Sequence, residues 1–166
     1  LFGGREVTCG FTGSYSADAA DVTVVYNAIC SAQVPDVIAE TGARGVRTRV
    51  GHSFIKGEMA RHDAVFGGEH SAHYYFRDFW FADTGMLAAM HTLAALGEQP
   101  EPLSTVMADL ARYSASGEIN STVTDQQGVI EQIRAWASAR GARTDELDGL
   151  TLACPEGTTP MWWFNV

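Results

Sequence analysis

Val22-Thr23-Val24-Val25-Tyr26 opens the alternation that decides the fold. Four of its five residues are β-branched, which suits the pleated interior of a buried strand. Val34 to Thr41 then has helical spacing, and Gly42 is placed to end that helix. Val46 to Val50 reads as a second strand, Ser53 stands where it would cap a helix running through Arg61, and Ala64-Val65-Phe66 reads as a third short strand. Strand, helix, strand, helix, strand predicts an α/β domain with a parallel or mixed sheet flanked by helices.

Working outward, residues 1–21 are rich in glycine, serine, alanine and aspartate without periodicity and read as an irregular lead-in. After the core alternation, Asp83 is placed to cap a helix in which Met86, Leu87, Met90 and Leu93 repeat at helical spacing and Gly97 closes the run. A polar stretch with two prolines leads to a further helix bearing Leu103, Val106, Met107 and Leu110 on one face. The α/β domain is expected to span 22–112. In 113–166, Glu118 to Val123 reads as a strand. Asp125 opens a helix with Val129, Ile130, Ile133, Trp136 and Ala137 inward, and Leu147–Leu152 and Met161–Phe164 read as strands. This is a small α+β module, helix on antiparallel sheet. It reads as truncated, because an apolar strand within two residues of the terminus lacks its next connection. The chain begins at Leu1 and its first methionine is Met59, so a piece of a longer protein is expected.

The composition narrows the function. With 46% hydrophobic residues among 166, the chain can bury a substantial core. Residues 44–77 hold six cations against three anions, whereas the formal net charge of the whole chain is −9. A weakly basic island in an acidic protein favours a small anionic ligand and disfavours nucleic acid, which needs a far larger positive surface. No apolar run reaches the length of a membrane span, and no leader pattern opens the sequence. Cys9, Cys30 and Cys154 are too widely spaced for a disulfide framework and read as small buried residues in a reducing, cytoplasmic setting.

The chemistry concentrates in Gly51-His52-Ser53-Phe54-Ile55-Lys56 and Gly67-Gly68-Glu69-His70-Ser71-Ala72-His73. A carboxylate accepts hydrogen bonds from adjacent sugar hydroxyls, a serine donates or accepts, and an imidazole meets a hydroxyl or a phosphate oxygen. If residues 69–73 are extended, Glu69, Ser71 and His73 share one side and His70, Ala72 and Tyr74 the other. His52 and the chain's single lysine, Lys56, lie four apart and share a helix face. A phosphorylated sugar fits this mixture. The plainer alternatives are a glycine turn, a solvated histidine loop, and sheet packing for Tyr74-Tyr75-Phe76. His62 and His91 read as ordinary histidines. A metal site from His52, Glu69, His70 and His73 fits poorly, because alternation sends His70 away from the others.

These two motifs resemble the third domain of the α-D-phosphohexomutases, bacterial phosphomannomutase/phosphoglucomutase in particular. Val24-Val25-Tyr26-Asn27 to Ser31, Tyr75-Phe76-Arg77-Asp78, Ala82-Asp83-Thr84-Gly85, Ser116-Gly117-Glu118-Ile119-Asn120 and Trp162-Trp163-Phe164-Asn165 extend the likeness over residues 22–166. The resemblance implies an isomerase of carbohydrate metabolism that moves a phosphoryl group between the 1- and 6-positions of a hexose phosphate. A phosphoserine in the first of four domains carries that group, assisted by Mg²⁺ held by aspartates of the second. It implies that Glu69 and Ser71 bind sugar hydroxyls and that His73 and His52 contact ligand near the reacting end, with Lys56 as a further candidate contact. Two departures stand out: Ala72 replaces the loop glycine, and Ala32 replaces a common basic residue after Ser31. The phosphoserine loop, the magnesium loop and the fourth-domain phosphate loop are not found, so no catalytic residue is expected in this chain. It is expected to be inactive alone, with the missing front-half domains as candidate partners. The alternative is a sugar-phosphate-binding module without chemistry.

Overall fold

The structure, a computed structural model, describes residues 21–110, 112–114, 116–154 and 162–164, with the backbone alone at 107, 109, 110 and 162–164. Almost all of the expected lead-in, Cys9 and Met161 lie outside the described residues, as do the side chains of Met107 and Leu110. The chain divides into two compact units, Leu1–Arg112 and Tyr113–Val166.

The first unit is built on β1 (Thr23–Asn27), α1 (Gln33–Glu40), β2 (Arg44–Thr48), α2 (His52–His62), β3 (Phe66–Gly68), β4 (Tyr74–Phe76), β5 (Ala82–Asp83), α3 (Gly85–Gly97) and α4 (Leu103–Leu110). One five-stranded sheet runs β2-β1-β3-β4-β5. β1 is parallel to both β2 and β3, while the β3–β4 and β4–β5 pairs are antiparallel. The sheet is therefore mixed. Alternation along β1 divides the interior. Val22 and Val24 pack with Ile38 of α1 and Ala88 of α3, whereas Val25 faces Ile55 and Met59 of α2. Each of the valine, isoleucine and methionine side chains contributes roughly 1.5–3 kcal/mol on burial. Helices thus cover both faces, which a parallel core requires.

Several expected boundaries shift. The second and third strands begin and end near, but not at, the positions read from apolar content, because Arg44–Thr48 pairs with β1 despite its charges. The α2 cap is Gly51 at φ 125°, not Ser53, which sits inside the first turn. An L side chain rarely adopts that φ, so the N-cap position selects glycine. Thr84, not Asp83, caps α3 by accepting from the Leu87 amide at 3.4 Å, because Asp83 is paired with Tyr75 in the sheet. On α3 the stripe that meets the core is Leu87 and Ala88, with His91 stacked on Phe76 at 5.8 Å, while Met86 is 75% exposed and Met90 and Leu93 are also exposed. Gly42, at φ 78°, does follow the end of α1.

The second unit packs α5 (Gln126–Ser138) beside a sheet ordered β6 (Arg143–Asp145), β7 (Leu150–Ala153), β8 (Trp162–Phe164), all antiparallel. Asp125 caps α5 by accepting from the Gly128 amide at 2.9 Å. Ile130, Ile133 and Ala137 pack with Leu150 and Leu152. Trp136 departs from the expected inward face: it is exposed and lies under the Arg140 guanidinium. Glu118 to Val123 forms no strand, and Ile119 is 73% exposed. Among the described residues it has no ladder partner, and a strand without one is not stable.

Candidate functional site

β1 connects through α1 to β2 on one side, and the chain then returns through α2 to β3 on the other. The carboxyl ends of β1 and β3 therefore border the point where strand order reverses, the usual ligand crevice of open α/β sheets. Asn27 ends β1 there, and Glu69 follows β3 directly. Asn27 Nδ2 donates to Glu69 Oε2 at 3.2 Å, the Gly51 amide donates to the same oxygen at 3.2 Å, and the Tyr75 hydroxyl donates to Oε1 at 2.5 Å. Glu69 is only 7% exposed. One carboxylate thus ties the end of β1, the entry to α2 and the strand β4 together.

The expected extended run over 69–73 is not what the backbone adopts. The Glu69 amide donates to the His73 carbonyl at 3.0 Å and the Ala72 amide to the Glu69 carbonyl at 3.1 Å, closing a tight turn between β3 and β4. Glu69 consequently faces inward while His70, Ser71 and His73 are exposed on the turn. Ala72 turns the corner at φ 65°. Gly67 is needed for packing rather than for ligand approach: a Cβ there would lie 2.6 Å from Met59 Sδ and 2.9 Å from Ile55 Cγ2.

His73 Nδ1 lies 2.9 Å from Asp83 Oδ2. The His73 hydrogen bond, and after it the nearby charges of His73 and His52, hold the Asp83 carboxyl below its ordinary range. His52, exposed on the first turn of α2, is thus close enough to act on the same carboxylate. Lys56 follows one helical turn later, exposed on α2. Burial, reinforced by the bond to Glu69, pushes the Tyr75 phenol up, so it stays a donor. Beneath the turn, burial pushes the Cys30 thiol up to about 11, and its Sγ donates to Asn27 Oδ1 at 3.2 Å.

The structure therefore joins Glu69 to the backbone beside His52, and His73 to Asp83. No bond ties Ser71 or Lys56 to these groups among the described residues. Asp83 is the member that sequence reasoning missed, since the cap reading had absorbed it. The four-residue metal site is not assembled, because Glu69 turns inward away from the exposed histidines. Among the described residues no three His, Cys, Asp or Glu side chains gather to hold a metal ion, and no donor set for Mg²⁺ is found. No described helix is long and apolar enough to cross a membrane.

The comparisons agree with this topology. A phosphomannomutase of Methanocaldococcus jannaschii is 35% identical over 147 residues, covering 89% of this chain and 31% of its own length. One of Escherichia coli is 37% identical over 132 residues, covering 79% and 28%. The chain thus spans about a third of the length of the curated relatives it matches. A phosphoglucomutase/phosphomannomutase family protein from Burkholderia thailandensis shares the fold, with a TM-score of 0.67 at 23% identity over 91% of this chain and 32% of that one. Residues 11–113 match the model for phosphoglucomutase/phosphomannomutase alpha/beta/alpha domain III, so the chain belongs to the phosphoglucomutase/phosphomannomutase family.

Proposed function

We propose that this chain is the sugar-recognition part of a cytoplasmic phosphohexomutase acting on mannose or glucose phosphates. The observation that carries this reading is the Glu69-anchored turn at the carboxyl ends of β1 and β3. Glu69 receives three donors, and a carboxylate has about four acceptor positions, which leaves one for a sugar hydroxyl at the floor of the crevice. Ser71 and His73 present polar atoms from the turn, and His52 and Lys56 from α2, where the helix N-terminus also favours an anion.

In the whole enzyme the reaction would be transfer of a phosphoryl group between the 1- and 6-positions of the hexose. Such transfer depends on a nucleophile, a metal and cationic clamps acting together. Magnesium would supply charge neutralisation there, from ligands in other domains. This chain's residues bind and orient the sugar, and the 166-residue chain is expected to show no mutase turnover.

Titration of isotope-labelled chain with glucose 1-phosphate or mannose 1-phosphate tests the reading. The amides of Gly68 to His73 and of Gly51 and His52 should move with a common saturation curve. Signals unmoved at millimolar ligand would refute it.

A further inference from the structure

Asp83 occupies a place that the recognition turn does not explain. Its backbone is fixed on both sides, by the ladder to Tyr75 and by the Thr84 amide donating to the Tyr74 carbonyl at 3.0 Å. The helix that follows takes its cap from Thr84, which leaves the Asp83 carboxylate available to His73. Both side chains remain about half exposed, at 55% for His73 and 49% for Asp83. An ordinary surface ion pair of two mobile side chains contributes little and specifies no geometry. Here the carboxylate stands on a paired strand, and the imidazole follows a turn whose backbone is anchored through Glu69.

The geometry points to Asp83 as a positioning residue for the sugar-phosphate ligand. Its carboxylate accepts a hydrogen bond from the Nδ1–H of His73, fixing the imidazole tautomer and ring plane and leaving Nε2 as the nitrogen available to the ligand. This rests on the function proposed above. The titratable groups facing the pair are His52 from α2 and the Tyr75 phenol from β4, with Glu69 bonded behind Tyr75. His52 and His73 both favour the ionised carboxylate, so Asp83 stays an acceptor across neutral pH. A carboxylate this close also offsets the charge of a protonated His73. The pair therefore suits a sugar hydroxyl better than a phosphate dianion.

The test uses the full 166-residue chain labelled with ¹⁵N and ¹³C. Long-range ¹H–¹⁵N spectra should show the neutral His73 ring protonated at Nδ1 and bare at Nε2. The Asp83 carboxyl carbon should titrate below the ordinary carboxylate range and return toward it in His73→Gln. Asp83→Asn replaces an acceptor-only carboxylate by an amide that can turn its NH2 toward Nδ1, and should shift the neutral ring toward the Nε2-protonated tautomer. Asp83→Ala should release the tautomer and weaken glucose 1-phosphate binding several-fold, with the remaining amide spectrum of the fold retained. An unchanged tautomer in Asp83→Ala, or equal ligand affinity, would overturn the role of Asp83 alone. Failure of glucose 1-phosphate and mannose 1-phosphate to move the Gly68–His73 amides of the unsubstituted chain would overturn the proposed function, and this inference with it.

Discussion

Tyr75 and Glu69 meet beneath the β3–β4 turn, the phenol hydrogen donating to Oε1 across 2.5 Å while Asn27 and the Gly51 amide hold Oε2. The carboxylate is the shared acceptor of three separate segments. Tyr75→Phe removes one donor from a buried acceptor, and the expected loss of stability is roughly 1–3 kcal/mol. Glu69→Ala orphans all three donors and should cost more. It should also loosen the entry to α2, seen as faster amide exchange at Gly51 and Phe54. Urea denaturation checks the order, and equal midpoints for Tyr75→Phe and the parent would show that the bond stabilises nothing.

Gly67→Ala tests whether that glycine serves packing. The added methyl would press on Met59 Sδ at 2.6 Å and on Ile55 Cγ2 at 2.9 Å, both beneath α2. The Met59 side chain is flexible and yields in part, but the branched Ile55 is stiff. A loss of about 1–3 kcal/mol in urea denaturation is expected. Gly68→Ala meets nothing closer than 3.7 Å and should cost less. Equal costs at the two positions would contradict the packing argument.

The alternation of strands and helices was legible because the β-branched run Val22–Tyr26 marks a strand buried on both faces, and the Val34–Thr41 helix and the glycine after it separate it from the next strand. What was not legible had no apolar signature. β2 is an edge strand carrying Arg44 and Arg47, and β6 is Arg-Thr-Asp, so backbone pairing alone defines them. Apolar content misled in the opposite direction at Met86, Met90, Leu93, Ile119 and Trp136, which are exposed. The motif residues were found by type, but their directions were not. A turn closed by the Glu69 and His73 backbones sends Glu69 inward, and period-two reasoning has no term for a corner. Asp83 was hidden for a related reason, since its partner stands ten residues earlier and is reached only through the β4–β5 pairing.

At φ 65°, Ala72 holds the left-handed conformation that glycine adopts freely. Ala72→Gly removes a strain of roughly 1 kcal/mol but enlarges the unfolded ensemble by a smaller amount. The net expectation is a small stabilisation, read as a higher urea midpoint at unchanged slope. If the turn strain also limits the sugar site, glucose 1-phosphate should bind more tightly to this variant. A lower midpoint would mean that the alanine methyl is packed usefully despite its exposure.

Cys30 links the floor of the site to alkaline stability. Its thiol is buried, bonded to Asn27 Oδ1, and pushed from an ordinary value of 9.0 up to about 11. A raised folded value contributes stability that is complete below the unfolded value and is lost as pH climbs toward the folded one. Between about pH 9 and 11 the unfolded chain loses this proton first, so stability should fall at up to about 1.4 kcal/mol per pH unit from this group. Tyr75, raised for the same reason of burial, adds to the decline above its own ordinary value of 10.0. Cys30→Ala should flatten the slope between pH 9 and 10 while leaving that between pH 7 and 8 unchanged. Site-resolved alkylation supplies an independent reading: at pH 8 the partly exposed Cys154 should be modified well before Cys30 in the folded chain, and both at similar rates in urea. Equal modification rates in the folded chain would mean that Cys30 is neither sealed nor raised, and the alkaline slope would then need another source.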